Sequence, residues 1–347
     1  MSEDFRERIW KYIGKEWFAT EAMDLDGEVL SPLAQDMPRR LVVAILREAI
    51  GPIINRSEDP DETVSIKMPD GRDVIEIPAR KFKSKEKLLG IRLCKAFSVI
   101  DPSYEYNDVK NGEMLRNPNS VLFGDTVVEA GRGNQAMFPS RVLYSSSYSI
   151  RKKIDITRKL THNALSAQGT MWDRGTSRHR QSLFETEYIM PGSIFPSFIT
   201  LKDPTPEMFL HFMMTLRETS YGAQTSITGS NVRNHVIAIL ACGVEPPISS
   251  YTVSEKVGLN LKNPSSEELY KTLNDHILTE FENYVRQNSG VLVAGNRMEE
   301  LKSYIVSLKE EELSKIYKKL KEDSSSLWNY SGFGKKEERK TSQATGS

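Results

Sequence analysis

The sequence predicts an α+β fold on three observations. Short alternating strands come in pairs, helices with a single apolar stripe stand between or after them, and irregular Gly-, Pro-, Asn- and Ser-rich stretches run longer than ordinary connections. The 347 residues give roughly two domains' worth of core. Lys and Arg total 47, as do Asp and Glu, and this zero formal charge argues against a uniformly basic coat while leaving locally basic faces open. A content of 38% hydrophobic and 27% charged residues fits a globular chain that gives much of its surface to partners. Two cysteines, Cys94 and Cys242, make neither a disulfide framework nor a four-thiolate zinc site, and they suit a reducing, cytoplasmic compartment. Met1 to Gly14 is charged and lacks a signal-peptide core, and no later run reaches membrane-spanning length. A soluble, unprocessed chain with no membrane partner is therefore expected.

Residues 5 to 18 alternate charged and apolar types. Asp36 and Pro38 precede the run Leu41, Val42, Ala44, Ile45, Leu46 and Ala49, whose spacing predicts a buried helix. Thr63 to Met68 and Asp73 to Ile77 alternate around Pro69-Asp-Gly71 and predict a hairpin. Residues 101 to 120 and 124 to 149 read as inserted loops. Glu185 to Met190 and Ser193 to Leu201 read as strands broken at Pro191-Gly192. Thr205 then caps a helix with Pro206 in its first turn and the stripe Met208, Phe209, Phe212, Met213, Leu216. Val232 to Cys242 is a further strand. This order of elements is that of a ferredoxin-like, RNA-recognition-motif-like core with insertions. Ser265 or Ser266 caps a helix carrying Leu269, Leu273, Ile277, Phe281 and Val285, and Leu301 to Leu320 marks another. From Ser324 onward, polar composition predicts a disordered tail.

Two segments break the charge balance. Ile77 to Lys95 holds Arg80, Lys81, Lys83, Lys85, Lys87, Arg92 and Lys95 against Glu86. Arg151 to Leu183 holds Arg151, Lys152, Lys153, Arg158, Lys159, Arg174, Arg178 and Arg180 against Asp155 and Asp173. Each carries the local excess of a phosphate-binding footprint, although a solvated face fits the first segment equally well. In the second, Gly169, Trp172, His162 and His179 interleave with the arginines, a pattern that favours single strands. The loop from Tyr221 to Ser230, with Gln224 and Thr228, lies near Arg217, Arg233, Asn234 and His235. It offers amides and hydroxyls to phosphates or 2′-hydroxyls, and an ordinary helix-to-strand connection fits the same residues.

Gly131-Arg-Gly-Asn-Gln-Ala136 matches a loose dinucleotide pattern, but Phe138-Pro139 stands where a helix must continue, so no nucleotide cofactor is expected. There is no Walker A sequence, no zincin motif and no nucleophile elbow. Asp24-Leu-Asp26-Gly27 lacks the further ligands of a calcium loop and reads as a turn, and the five histidines are scattered.

The run Leu183-Phe-Glu-Thr-Glu-Tyr-Ile-Met-Pro-Gly-Ser-Ile-Phe195, then Phe195-Pro-Ser-Phe198, Tyr221-Gly-Ala-Gln-Thr-Ser-Ile-Thr-Gly229 and Asn234-His235, resembles the RAMP proteins of CRISPR effector complexes. Within them it resembles the Cas-seven-type backbone subunits of type I-D Cascade, strongly over residues 183 to 242 and more weakly from Arg80 to Ser182. The resemblance implies a discontinuous palm (1–100 and 183–250), inserted fingers (101–150), a thumb hairpin (151–182), a helical part (251–323) and a tail (324–347). It implies a filament of head-to-tail copies on crRNA, supporting target DNA recognition in antiviral defence together with other Cascade subunits. Guide contacts would come from Arg80, Lys81, Lys83, Lys85, Lys87, Arg151, Lys152, Lys153, Arg158, Lys159, Arg174, Arg178, His179, Arg180, Arg217, Tyr221, Gln224, Thr228, Arg233 and Asn234. Such relatives carry a cysteine cluster in the inserted region. Asn117-Pro-Asn-Ser120 has none, so no zinc is assigned. The aromatic octamer of ordinary RNA-recognition motifs is also absent.

A non-catalytic role without cofactor is the leading expectation. Two alternatives are a Mg2+-dependent nuclease using Asp26 on the bound target strand and a precursor-RNA processing endonuclease using His162 or His179.

Overall fold

The computed structural model describes residues 4–19, 39–56, 62–106, 108–109, 112–127, 137–163, 172–173, 178–179, 183–222, 229–259 and 265–330. In chain order the elements are α1 (Phe5–Ile13), β1 (Arg40–Ala49), β2 (Ser65–Lys67), β3 (Asp73–Ile77), α2 (Ala79–Ala96), α3 (Pro118–Phe123), β4 (Asp125–Thr126) and β5 (Met137–Phe138). Then follow β6 (Val142–Tyr144), β7 (Ser147–Lys152), α4 (Lys153–Ile156), β8 (Thr157–Asn163), β9 (Trp172–Asp173), β10 (Arg178–His179), β11 (Leu183–Ile189) and β12 (Ile194–Lys202). The last are α5 (Pro206–Thr215), β13 (Val232–Cys242), α6 (Ser250–Gly258), α7 (Ser266–Gln287), β14 (Gly290–Ala294), α8 (Gly295–Ser307) and α9 (Glu310–Tyr330).

Five strands form an antiparallel sheet in the order β14-β13-β1-β12-β6. With α2 between β1 and β6, and α5 between β12 and β13, this is the βαββαβ path and strand order of a ferredoxin-like core, extended by β14 at one edge. The pleat sorts the side chains of β1. Leu41, Val43 and Ile45 pack with Ile91 and Cys94 of α2 and Phe209 and Phe212 of α5. Val42, Ala44 and Leu46 pack with Leu269, Leu273, Ile277 and Phe281 of α7. A bulge leaves Ile237 of β13 unpaired between Ala44 and Ile45, which puts Ile237 and Ala238 in the same cluster.

Residues 41 to 49 are thus a strand and not the helix that their spacing suggested. β1 is covered on both faces, so its apolar run lacks the two-residue alternation by which a strand is recognised. The 63–77 hairpin forms as expected, with Gly71 at φ 82° and the Met68 amide donating to the Arg72 carbonyl at 2.8 Å. Thr205 accepts the Met208 amide at 3.2 Å, and Ser265 with Glu268 makes a reciprocal cap on α7. The loop expected at 124 to 149 instead carries β4 to β7.

The segment read as one helix from Leu301 to Leu320 is two, α8 and α9, and α9 runs through Tyr330 into the stretch expected to be disordered. Leu327 and Trp328 are buried there, and the Trp328 indole donates to Glu113 at 3.1 Å. Residues 331–347 lie outside the described ones. Among the described residues no helix is long and apolar enough to cross a membrane.

Candidate nucleic-acid interface

Three groups of predicted residues meet where β1 ends, and the segment from Ala49 to Arg56 joins them. The first is the β8–β11 arm, a hairpin ladder from Thr157↔Ile189 to Asn163↔Leu183. Ile53 and Ile189 exchange amide–carbonyl bonds of 3.1 and 2.8 Å, the Gly192 amide donates to the Ala49 carbonyl at 2.7 Å, and Arg56 donates to the Thr186 hydroxyl at 2.6 Å. The second is the neck made by Tyr221 and Asn231, whose side chain bonds both the amide and the carbonyl of Tyr221. The Asn231 carbonyl accepts from the Ile50 amide at 2.9 Å, and its side chain donates to the Pro52 carbonyl at 3.0 Å. The third is the first turn of α2, where the Lys81 ammonium donates to the Arg56 carbonyl. Ala49, Ile53, Ile77, Phe82, Ile156, Ile189, Tyr221 and Val232 form a small apolar cluster under this junction.

Lys152, Arg158 and Lys159 are exposed on or beside the arm, Arg151 is half-buried, and Arg217 and Arg233 are exposed beside the neck. Lys159 pairs with Glu185 at 3.1 Å, and the hydrogen bond its ammonium donates to that carboxylate raises its pKa. The pair is exposed, so its attraction is screened and leaves Lys159 available to a phosphate. Arg233 stands 3.6 Å from Glu48, which also meets His235 at 2.9 Å. On α2, Arg80 is exposed and Lys85 half-buried.

Several predicted contact residues are committed inward. Lys87 is buried, donates to the Gly124 carbonyl at 2.8 Å and lies 3.6 Å from Asp125; burial depresses its pKa against that carboxylate. Lys83 donates to the Ser140 hydroxyl at 2.8 Å, and burial, with the Lys87 charge behind it, holds its ammonium down to about 8. Lys81 is likewise lowered by burial and then by Arg80. The first basic segment fails as a single charged strip because it is a helix that winds its lysines around several sides. Lys153 is held by Glu187 at 3.2 Å and Glu62 at 3.7 Å.

Tyr221, expected as an exposed ring, is 4% exposed and packs edge-on against Phe82. Its hydroxyl donates to Glu86 at 2.9 Å, and burial, then the Glu86 charge, raises its pKa far above normal. Asn234 also points inward, with Oδ1 accepting from Arg47 at 2.9 Å.

Sequence reasoning missed this buried set. Arg47 is 1% exposed and pairs with the equally buried Glu86 at 2.6 Å, its guanidinium 4.0 Å above the Phe82 ring. Tyr144 donates to the other Glu86 oxygen. Burial opposes the Arg47 charge, but the Glu86 charge and hydrogen bond more than offset it, so its pKa lies above normal. A single charge closing an apolar run, Leu41 to Leu46, was the available signal, since such residues are buried only when paired.

Asp26, Arg174, Arg180, Gln224 and Thr228 lie outside the described residues, as do the side chains of His162, Arg178 and His179. Among the described residues no three His, Cys, Asp or Glu side chains group as metal ligands.

The sheet face opposite α2 and α5 is filled by α7, with Phe198 of β12 packed edge-on against Phe281 at 6.2 Å. Base stacking on that face is therefore closed to a strand of nucleic acid.

No curated protein matches the sequence. The crystal structure of Thermofilum pendens Csc2 superposes with a TM-score of 0.60 at 15% identity, covering 95% of this chain and 98% of that one, which is a likeness of fold. A chain of a CRISPR RNA-guided surveillance complex aligns over 72% of this chain and 87% of its own at 12% identity and a TM-score of 0.46. A chain of such a complex in a pre-nicking state does so over 74% and 93% at 11% identity and a TM-score of 0.48. The family model described as Csc2 Crispr matches residues 68–325, well over half of the sequence, and the chain belongs to that family.

Proposed function

We propose that this chain is a crRNA-binding backbone subunit of a type I-D CRISPR effector complex, repeated head to tail along the guide and supporting recognition of target DNA beside other Cascade subunits. The observation that carries the reading is the convergence of the basic arm, the neck at Tyr221 and Asn231, and the first turn of α2 on one end of a sheet whose face is already filled. A strand held there is gripped by sugar and phosphate, which suits a protein that leaves sequence reading to guide–target pairing. In this reading residues 1–100 and 183–250, with strand β6, are the palm, the rest of 101–150 the fingers and 151–182 the thumb. A head-to-tail contact that does not close yields an open filament, and zero net charge keeps neighbouring copies from repelling.

The test is the length of RNA that copurifies after a high-salt wash, read beside particle mass, together with the salt dependence of single-stranded RNA binding. RNA of one defined length in a large particle is expected. With about four phosphates neutralised, affinity falls roughly fiftyfold between 50 and 200 mM salt. A clean monomer that fails to bind added RNA, or binding indifferent to salt, overturns the proposal.

A further inference from the structure

Arg217 lies just past the end of α5 and Arg233 is the second residue of β13, and both are exposed. One half-buried side chain ties them together. Asn234, next to Arg233, donates to the carbonyls of Leu216 at 2.9 Å and Glu218 at 3.1 Å, the two residues flanking Arg217. Asn234 itself stands opposite Arg47 in the β1–β13 ladder. The Nη1 of Arg47 reaches Asn234 Oδ1 at 2.9 Å, Glu86 Oε1 at 2.6 Å and the Tyr221 hydroxyl at 3.3 Å. Tyr221 is pinned a second way, because its amide donates to Asn231 Oδ1 at 2.9 Å and its carbonyl accepts from Asn231 Nδ2 at 2.6 Å.

An apolar side chain would fill this space without desolvating a charge. What the ionic network adds is direction, since each bond holds only at a fixed angle and distance. We propose that Arg47, Glu86, Tyr221 and Asn234 form a positioning set that fixes the backbone carrying Arg217 and Arg233 so that both arginines face guide phosphates, an inference that rests on the guide-binding reading above. None of the four touches RNA. They act by holding the two arginines in place before the strand arrives, so that little ordering cost remains on binding.

The test uses the full chain, a fluorescent single-stranded RNA of random sequence, and thermal melting of every variant. Tyr221→Phe removes the hydroxyl and keeps the ring against Phe82; it weakens RNA binding about fivefold, the equivalent of one hydrogen bond. Glu86→Gln takes away a negative charge yet weakens binding, the reverse of what direct electrostatics gives. In an Arg217→Ala/Arg233→Ala background, Tyr221→Phe has no further effect, because the groups it served are gone. A network that only stabilises the core shows the same loss in both backgrounds. That result, or unaltered affinity in both single variants, overturns the inference. Should Glu86→Gln not fold, Tyr221→Phe in the two backgrounds carries the test alone. A wild-type chain that binds no RNA removes the guide-binding reading and this inference with it, an outcome distinct from intact wild-type binding with indifferent variants.

Discussion

His211 makes folding stability depend on pH between 7 and 5, above the range in which ordinary carboxylates titrate. It sits on α5 with no exposed surface, its Nδ1 3.0 Å from the Tyr317 hydroxyl and its Nε2 3.3 Å from Asn119 Oδ1 and 3.9 Å from the Cys94 sulfur. Burial pushes its imidazole down to about 3, and burial also raises the Tyr317 hydroxyl and the Cys94 thiol, so both neighbours stay neutral. In the unfolded chain the same imidazole titrates near its ordinary value of 6.5. A depressed folded value means the unfolded state binds the extra proton. The stability is whole above pH 6.5 and drains away as the pH falls toward 3. Between pH 7 and pH 5 the unfolded chain takes up most of one proton that the folded chain refuses, which costs about 2 kcal/mol. The assay is urea unfolding at both pH values, followed by tryptophan fluorescence, for the wild type and His211→Gln. Any fixed cost of the substitution cancels in each protein's own pH difference. The wild type should lose about 2 kcal/mol more than the variant over this interval. Equal losses would refute the reasoning.

Two further outcomes follow from the same interior. A methyl group at Gly90 of α2 would come within 2.2 Å of Asn119 Oδ1 and 3.2 Å of His211 Nε2. Gly90→Ala therefore destabilises by about 2 kcal/mol net, despite the roughly 1 kcal/mol that alanine gains in a helix, and an unchanged or raised melting temperature would contradict the packing described. Cys94 and Cys242 are both fully buried; burial, then Glu245, pushes the Cys242 thiol up to about 12, and burial raises Cys94 further. A thiol-specific reagent at pH 8 should find no fast-reacting sulfur in the native protein and two after denaturation, and a fast native thiol would count against the core assigned here.

Local chemistry was legible where it acts locally. Thr205 with Pro206, Ser265 with Glu268, and Pro69-Asp-Gly71 each announce a boundary through a hydrogen bond or a backbone angle that two or three residues can set. The strand order became readable from β12, α5 and β13. By contrast β1 hid because tertiary cover on both faces erased its period. The end of α9 hid for a related reason: Ser324 to Ser326 look like tail composition, and only the burial of Leu327 and Trp328 makes that turn a docked helix. At the candidate site, charge density marks segments but does not say which of their residues face solvent. Whether a lysine faces solvent, like Lys159, or bonds a carbonyl, like Lys87, depends on partners distant in sequence. Tyr221 misled in the same way, since an aromatic ring in a polar loop reads as a contact until Arg47 and Glu86 are placed beside it.

The docking of α9 also bears on the order in which the chain is made. Tyr317 closes over His211 and stacks on Phe97 at 4.3 Å, while Trp328 meets Phe138 and Glu113. All of these partners emerge from the ribosome before α9 does. Until it arrives, a nascent chain with a complete ferredoxin-like sheet presents a bare imidazole and an open aromatic seam to its surroundings. That intermediate is a natural client for a holding chaperone. Synthesis halted between α8 and α9 should leave the chain bound there far longer than synthesis carried through Tyr330.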